Sequence, residues 1–308
     1  IKGGGEIGAI LYDVEKNFDF SNPSKHIPAL LKAYDKINVV EDSHWRKIKI
    51  KQIKEIIEAA AGLYLEVSAT NSSTTPNGEV TIKMEVLNRS TITAFFDSYS
   101  FKENGVTVVK SPEIQLENNV RVNITDRIKL KNTPYSDPYW LQNKGTLGMY
   151  TVNNQLQIGK PESDRPLQVE FNLNIWEHNI TFTKDVVYRY ARSDVGEIYE
   201  PFEVLPEVTT KLNTKVMLFS DDTPQKVQVS VRAGTKNISG FVSLQAPSNW
   251  KISPKEIPFS IAQKGDNLTV DFMVTPPANQ SEGILQSVAI IDGKKFNKEL
   301  VEINYNHI

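Results

Sequence analysis

The residues of this chain best equipped for ligand chemistry lie in one short string, Tyr135-Ser136-Asp137-Pro138-Tyr139-Trp140. Aromatic faces stack on the apolar faces of sugars, and a carboxylate beside them accepts hydrogen bonds from sugar hydroxyls. Tyr135, Asp137, Tyr139 and Trp140 are therefore the candidate glycan contacts. The same string also suits a sandwich that buries one aromatic as a core plug, with Pro138 fixing the turn. The two readings differ in whether the loop is exposed. Trp176, inside a strand-like run, and Trp250, after Pro247-Ser248-Asn249, are expected in the core or between sheets.

Other chemistries find less support. A hydrolytic metal site needs His and carboxylates at ligand spacing, yet His26, His44, His178 and His307 are scattered with no H-x-x-x-H pattern. No nucleophile elbow of the Gly-x-Ser-x-Gly type occurs. Gly3-Gly4-Gly5 precedes a helix but lacks the strand before it and the Lys-Ser/Thr after it that a phosphate loop requires. Without cysteine there is no thiolate ligand, nucleophile or disulfide framework. Nothing singles out a pair of carboxylates, so a hydrolase using one stays an open reading. Asn-x-Ser/Thr sequons at Asn71, Asn88, Asn123, Asn179, Asn237, Asn267 and Asn279 fit the chance yield of Asn- and Thr-rich strands and turns.

The elements that must position these residues fall into three blocks: 1–62, 63–192 and 193–308. The first is helical. Ile7, Ile10, Leu11, Val14 and Phe18 recur on one helix face, as do Ile27, Leu30, Leu31, Tyr34 and Ile37 after an Asn22-Pro23 start. Asp42-Ser43 can cap a third helix carrying Trp45, Ile48, Ile53, Ile56, Ile57 and Ala60, with Gly62 as its stop. Arg46, Lys47, Lys49, Lys51 and Lys54 make its polar face basic, which suits either a solvated face or an anionic partner. From Leu63 onward the period changes to two. Leu63-Leu65-Val67, Val80-Ile82-Met84-Val86, Val120-Val122-Ile124 and Val169-Phe171-Leu173-Ile175 alternate between turn clusters, and so do Val227-Val229-Val231 and Leu268-Val270-Phe272-Val274. The resulting expectation is a mainly β protein: an N-terminal helical segment followed by two antiparallel, Ig-like β-sandwich domains. Asp194 to Pro206 reads as an ordered linker between the sandwiches.

At 308 residues the chain exceeds the roughly 100–200 residues of one typical domain, so several compact units are expected. Its 35 basic and 37 acidic residues are interspersed, leaving no basic tract in the β region to follow a phosphate backbone. Nucleic acid is therefore not an expected partner. No apolar run approaches the roughly 20 residues of a membrane-spanning helix. The opening Ile1-Lys2-Gly3-Gly4-Gly5, without an initiator Met, is read as a cut within a larger protein whose chemistry lies upstream.

Two resemblances sharpen this. Gly240 to Pro254, with Ala246-Pro247 and Trp250, followed by Lys264-Gly265 and Phe272-Met273-Val274-Thr275-Pro276-Pro277, resembles the NEW-type β-sandwich that accompanies bacterial α-galactosidases. The whole chain resembles the region after the catalytic domain in large PIG-L/LmbE-like deacetylases. The matching strings are Gly3-Gly4-Gly5-Glu6-Ile7, Asn22-Pro23-Ser24 with Pro28-Ala29-Leu30-Leu31, Thr133-Pro134 with Pro138-Tyr139-Trp140-Leu141, Gly196-Glu197 with Pro206, and Asn304-Tyr305-Asn306-His307-Ile308. That family removes N-acetyl groups from GlcNAc-type substrates with zinc held by an Ala-His-Pro-Asp-Asp-Glu motif, which is absent from this sequence. The resemblance implies a non-catalytic, periplasmic or extracellular accessory region with no cofactor of its own. Its expected partners are the N-terminal catalytic domain, where the zinc would sit, and carbohydrate. Independently of the resemblance, the three apolar stripes of the first block are too extensive to face water, which predicts that Ile27–Ile37 and Trp45–Ala60 pack on each other and on a sandwich while Ile7–Phe18 also touches the catalytic domain. The alternative is a free-standing carbohydrate-binding or adhesion module.

Overall fold

Helical and strand periods change where the sequence indicates. The structure, a computed structural model, describes residues 2–103, 105–303 and 305. His307 and most of the closing string 304–308 lie outside the described residues. The described chain is mainly β, with three helices first and antiparallel sheets after them. It divides into two units: 1–72, 77–132 and 137–203 form the first; 73–76, 133–136 and 204–308 form the second.

In the first unit, α1 spans Gly4–Lys16, α2 Ile27–Asn38 and α3 Ser43–Ala60. The Asn22-Pro23 signal opens a 3-10 turn, Pro23–His26, and Asn22 accepts from the Ser24 hydroxyl instead of capping a backbone N–H. Pro28 then occupies the first turn of α2, where its missing N–H has no partner to lose. Asp42 caps α3 by accepting from the N–H groups of His44 and Trp45 at 3.0 and 3.1 Å. Gly62 stops it in the left-handed region at φ 63°, a conformation glycine adopts without a Cβ penalty.

The helices bury unequal stripes. α2 buries Ile27, Leu30, Leu31, Ala33 and Ile37; α3 buries Ile53, Ile57 and Ala60; α1 buries only Val14. Trp45 and Ile56, expected on the packed stripe of α3, are exposed. Polar contacts tie α2 and α3 to the strand His178–Asp185: Glu58 pairs with Lys184 at 2.6 Å, Asp35 with His178 at 3.0 Å, and Lys54 donates to the Thr181 carbonyl at 2.7 Å.

The unit's first sheet runs Gly196–Pro201, Val187–Arg192, Leu63–Ala69, Glu79–Asn88, Arg121–Lys129. Its pairings are antiparallel except Leu63–Ala69 with Val187–Arg192, which are parallel with Ser68 opposite Val187. The expected linker from Asp194 is thus partly an edge strand, with Tyr199 in register with Arg189. The second sheet runs Val106–Lys110, Ala94–Glu103, Gln168–Ile175, His178–Asp185. Side chains alternate across each strand, and Ile82, Met84, Phe96, Phe171 and Ile128 are each less than 2% exposed, with the Phe96 and Phe171 ring centres 5.8 Å apart.

The second unit contains two four-stranded sheets: Val208–Leu212, Gln225–Ala233, Asn267–Thr275, Lys251–Ser253, and Glu256–Ile261, Ile238–Gln245, Gln286–Ile291, Lys294–Phe296. Val227, Val229, Val231, Phe272 and Val274 bury against Val242, Phe259, Ile261 and Ala289. Trp250 packs against this core, edge-on to Phe219 at 5.1 Å, as expected from its position. The short segments of this unit are held by backbone bonds: Leu205 N–H to the Thr74 carbonyl at 2.8 Å, and Ser136 N–H to the Val204 carbonyl at 2.9 Å.

Candidate functional site

The loop singled out in the sequence divides between the two units, Tyr135 and Ser136 belonging to the second and Asp137 to Trp140 to the first. Tyr139 is buried at 8% exposure. Its N–H donates to Ser163 Oγ at 2.9 Å and its hydroxyl to the Lys160 carbonyl at 3.0 Å. Its ring is therefore largely covered, held by the loop residues Lys160 and Ser163. Trp140 stands edge-on to Tyr139 at a centroid distance of 4.9 Å and is half-buried, as is Asp137, whose carbonyl accepts from Ser163 Oγ. In the second unit, the Lys298 ammonium lies 5.6 Å from the centre of the half-buried Tyr135 ring.

A second aromatic was not recognised from the sequence. Trp176 sits at the tip of the hairpin joining Gln168–Ile175 to His178–Asp185 and is 46% exposed, contrary to its expected place in the core. Trp176 and Glu177 form a two-residue connection with φ 49° and 65°. Such a turn needs positive φ at both positions and ordinarily takes Asn-Gly. Two L-residues with large side chains are strained there by roughly 1 kcal/mol each. Glu177 N–H donates to Asn174 Oδ1 at 3.1 Å and the Trp176 carbonyl contacts the His178 ring at 2.8 Å, which hold the turn. Phe95, in register with Asn174 on the neighbouring strand, is also exposed. Trp-Glu lacks the Asn-Gly or Asp-Gly that marks a two-residue hairpin, so only the alternating runs on either side hinted at this turn.

The other candidates resolve into structural roles. His26 is buried, stacks on Phe18 at 5.2 Å and accepts from the Asp19 N–H at 3.1 Å. Among the described residues, no three His, Cys, Asp or Glu side chains are grouped as metal ligands. On the basic face of α3, Arg46 donates to the Val40 carbonyl at 2.7 Å, Lys49 to Gln52 and Lys54 to Thr181. Asn88, the first residue of its sequon, is wholly buried. Asn88 donates to the carbonyls of Ile92 and Leu116 and accepts from the N–H and hydroxyl of Ser90, all within 3.0–3.2 Å.

Paired carboxylates do occur, on the outer face of the first sheet. Glu66 and Glu85 are cross-strand partners, each with an 11% exposed side chain. Arg189 reaches Glu66 at 3.0 Å and Glu85 at 3.9 Å, and Arg121 meets Glu85 at 3.0 Å. The hydroxyls of Tyr64 and Tyr199 donate to Glu66, the latter at 2.9 Å. Burial, and then the Glu66 carboxylate, push the Tyr64 hydroxyl well above its ordinary range, so it remains a donor.

Residues 220–287 match the family described as NPCBM-associated, NEW3 domain of alpha-galactosidase. This stretch supplies most of the second unit's core, from Val227 to Val274. The NEW-type resemblance therefore holds for this part of the chain. No curated protein matches the chain. Among solved structures, red sea bream transglutaminase is similar at 9% identity over 85% of this chain and 34% of that one, with a TM-score of 0.35. Escherichia coli alpha-2-macroglobulin activated by porcine elastase is similar at 10% identity over 74% and 20%, with a TM-score of 0.25. Salmonella alpha-2-macroglobulin reacted with methylamine follows at 11% identity over 77% and 16%, with a TM-score of 0.26. The chain thus spans about a third of the first of these proteins and a fifth or less of the others.

Proposed function

We propose that this chain is the non-catalytic accessory region of a larger sugar-acting enzyme, a zinc-dependent N-deacetylase of GlcNAc-type substrates working in the periplasm or outside the cell. The observation that carries a carbohydrate context is the match of residues 220–287 to a domain of alpha-galactosidase. The deacetylase context rests on the ordered strings from Gly3-Gly4-Gly5 to Gly196-Glu197 and Pro206. In this role the chain carries no zinc; the metal and the hydrolytic step belong to the upstream catalytic domain, which the accessory region supports or orients. Glycan contact falls first to Trp176, whose indole is exposed, and then to the half-buried Trp140, because a sugar ring needs an open indole face.

The test compares the full enzyme, the enzyme lacking this region, and the region alone. Acetate release from GlcNAc conjugates should fall on deletion, and the isolated region should release none and bind no stoichiometric zinc. Zinc-dependent acetate release by the isolated region would falsify the assignment. If the region instead acts as a free-standing binding module, it should retain glycan when isolated and lose it in Trp176→Ala with the fold intact.

A further inference from the structure

The outer face of the sheet formed by Val208–Leu212, Gln225–Ala233 and Asn267–Thr275 carries a cavity of about 430 Å³. Residues of Gln225–Ala233 alternate, so Val227, Val229 and Val231 fill the core while Ser230 and Arg232 face outward. Register places Ser230 beside Lys211 and Arg232 beside Thr209 and Asn267, which assembles hydroxyls, amides and two cations on one floor. Ser230 Oγ donates to Asn213 Oδ1 at 2.8 Å, fixing that amide over the floor. The terminal segment supplies a rim. Thr210 N–H donates to the Lys298 carbonyl at 2.9 Å, and Leu300 lines the cavity. Two carboxylates of this segment lie on the two cations: Glu299 on Lys211 at 3.0 Å, and Glu302 on Arg232.

We propose that this cavity binds an acidic saccharide, a sugar ring bearing a carboxylate such as a uronate. Its volume falls in the range of small-ligand sites, about 300–1,000 Å³. The hydroxyl and amide floor matches ring hydroxyls, which both donate and accept. The guanidinium of Arg232 presents the forked donors that a carboxylate accepts in bidentate fashion. Glu302 already occupies that position and stands in for the ligand's carboxylate. It is 63% exposed at its side chain and yields readily, because an exposed ion pair is weak. The terminal segment is therefore a built-in competitor. The choice of a sugar rests on the carbohydrate-associated reading above; the charge and volume of the cavity do not.

The test titrates the 308-residue chain with D-glucuronate and with D-glucose, following backbone amide shifts and calorimetric heat. Glucuronate should bind saturably, shift amides around Ser230, Arg232 and Asn267, and bind more tightly than glucose. Arg232→Gln should weaken it by roughly two- to fivefold, as loss of a partly exposed ion pair does. Glu302→Gln should tighten it by roughly two- to fivefold, since it removes the competitor. Ser230→Ala, a small change on an exposed face, guards against a misfolded arginine variant and should weaken both sugars. The proposal is overturned by any of three results: no saturable glucuronate binding, equal affinity for glucose, or affinity unchanged in both Arg232→Gln and Glu302→Gln. Those results leave the accessory role untouched if deleting the region still lowers acetate release; the cavity assignment alone would then be lost.

Discussion

Glu66 and Glu85 face each other directly across two antiparallel strands, and a single guanidinium, that of Arg189, reaches both carboxylates. Like charges directly opposite destabilise a sheet, so this pair depends on its cations. Arg189→Met should destabilise the first unit by about 2–3 kcal/mol, somewhat below a fully buried pair because the arginine is partly exposed. Adding Glu85→Gln should recover part of the loss. Urea unfolding of Arg189→Met, Glu85→Gln and the double variant checks this, and additivity would show that Arg189 and Glu85 do not interact.

Asn88 is completely buried and uses both ends of its amide on Ile92, Leu116 and Ser90. Asn88→Ala leaves buried carbonyls without partners and should cost about 3 kcal/mol. Asn88→Asp, nearly isosteric, should also destabilise, because it replaces two donors with an acceptor. Thermal melts distinguish this from a surface sequon, where either change would be neutral.

Partial burial raises the Asp126 carboxyl, but hydrogen bonds from Lys110, the Arg127 N–H and the Tyr99 hydroxyl outweigh it and hold the group below the ordinary carboxylate range. A carboxyl depressed in the folded state stabilises above its unfolded value, about 3.9, and loses that stabilisation as the pH falls through the folded value. Acid unfolding of Tyr99→Phe should therefore show a flatter stability decline below about pH 4 than the parent. An unchanged slope would mean that Tyr99, which donates at 2.9 Å, contributes nothing to the shift.

Since α1 buries Val14 alone while α2 buries five side chains, amide exchange should be fastest in α1 and slowest in α2. Equal protection in the two helices would show that they open as one unit.

Replacing Trp176-Glu177 by Asn-Gly supplies residues that adopt positive φ without strain, and should stabilise the hairpin by about 1–2 kcal/mol. If Trp176 contacts glycan, the same variant should bind less. Calorimetric melts together with glycan retention read both effects; a stabilised variant with full retention would remove Trp176 from any contact.

Much of the fold is legible in local pattern. The cap at Asp42, the stop at Gly62 and the alternation of Val227, Val229 and Val231 each depend on residues close in sequence, and all three are present. What escaped depends on distance. Ser68 beside Val187, Glu66 facing Glu85, and Lys211 in register with Ser230 are pairings between remote strands, and no local period encodes them. Trp176 escaped for the opposite reason: its neighbours announce a hairpin, but its own residue type argues against the backbone that it adopts.

The second unit is not contiguous in sequence, since 73–76 and 133–136 complete what 204–308 begins. Genetic shuffling that transplanted only the last of these pieces would deliver Leu205 without the Thr74 carbonyl and Val204 without Ser136. The open edge left at its start would be an invitation to intermolecular pairing. Cut off from 73–76 and 133–136, the last piece would have to find other partners for Val204 and Leu205.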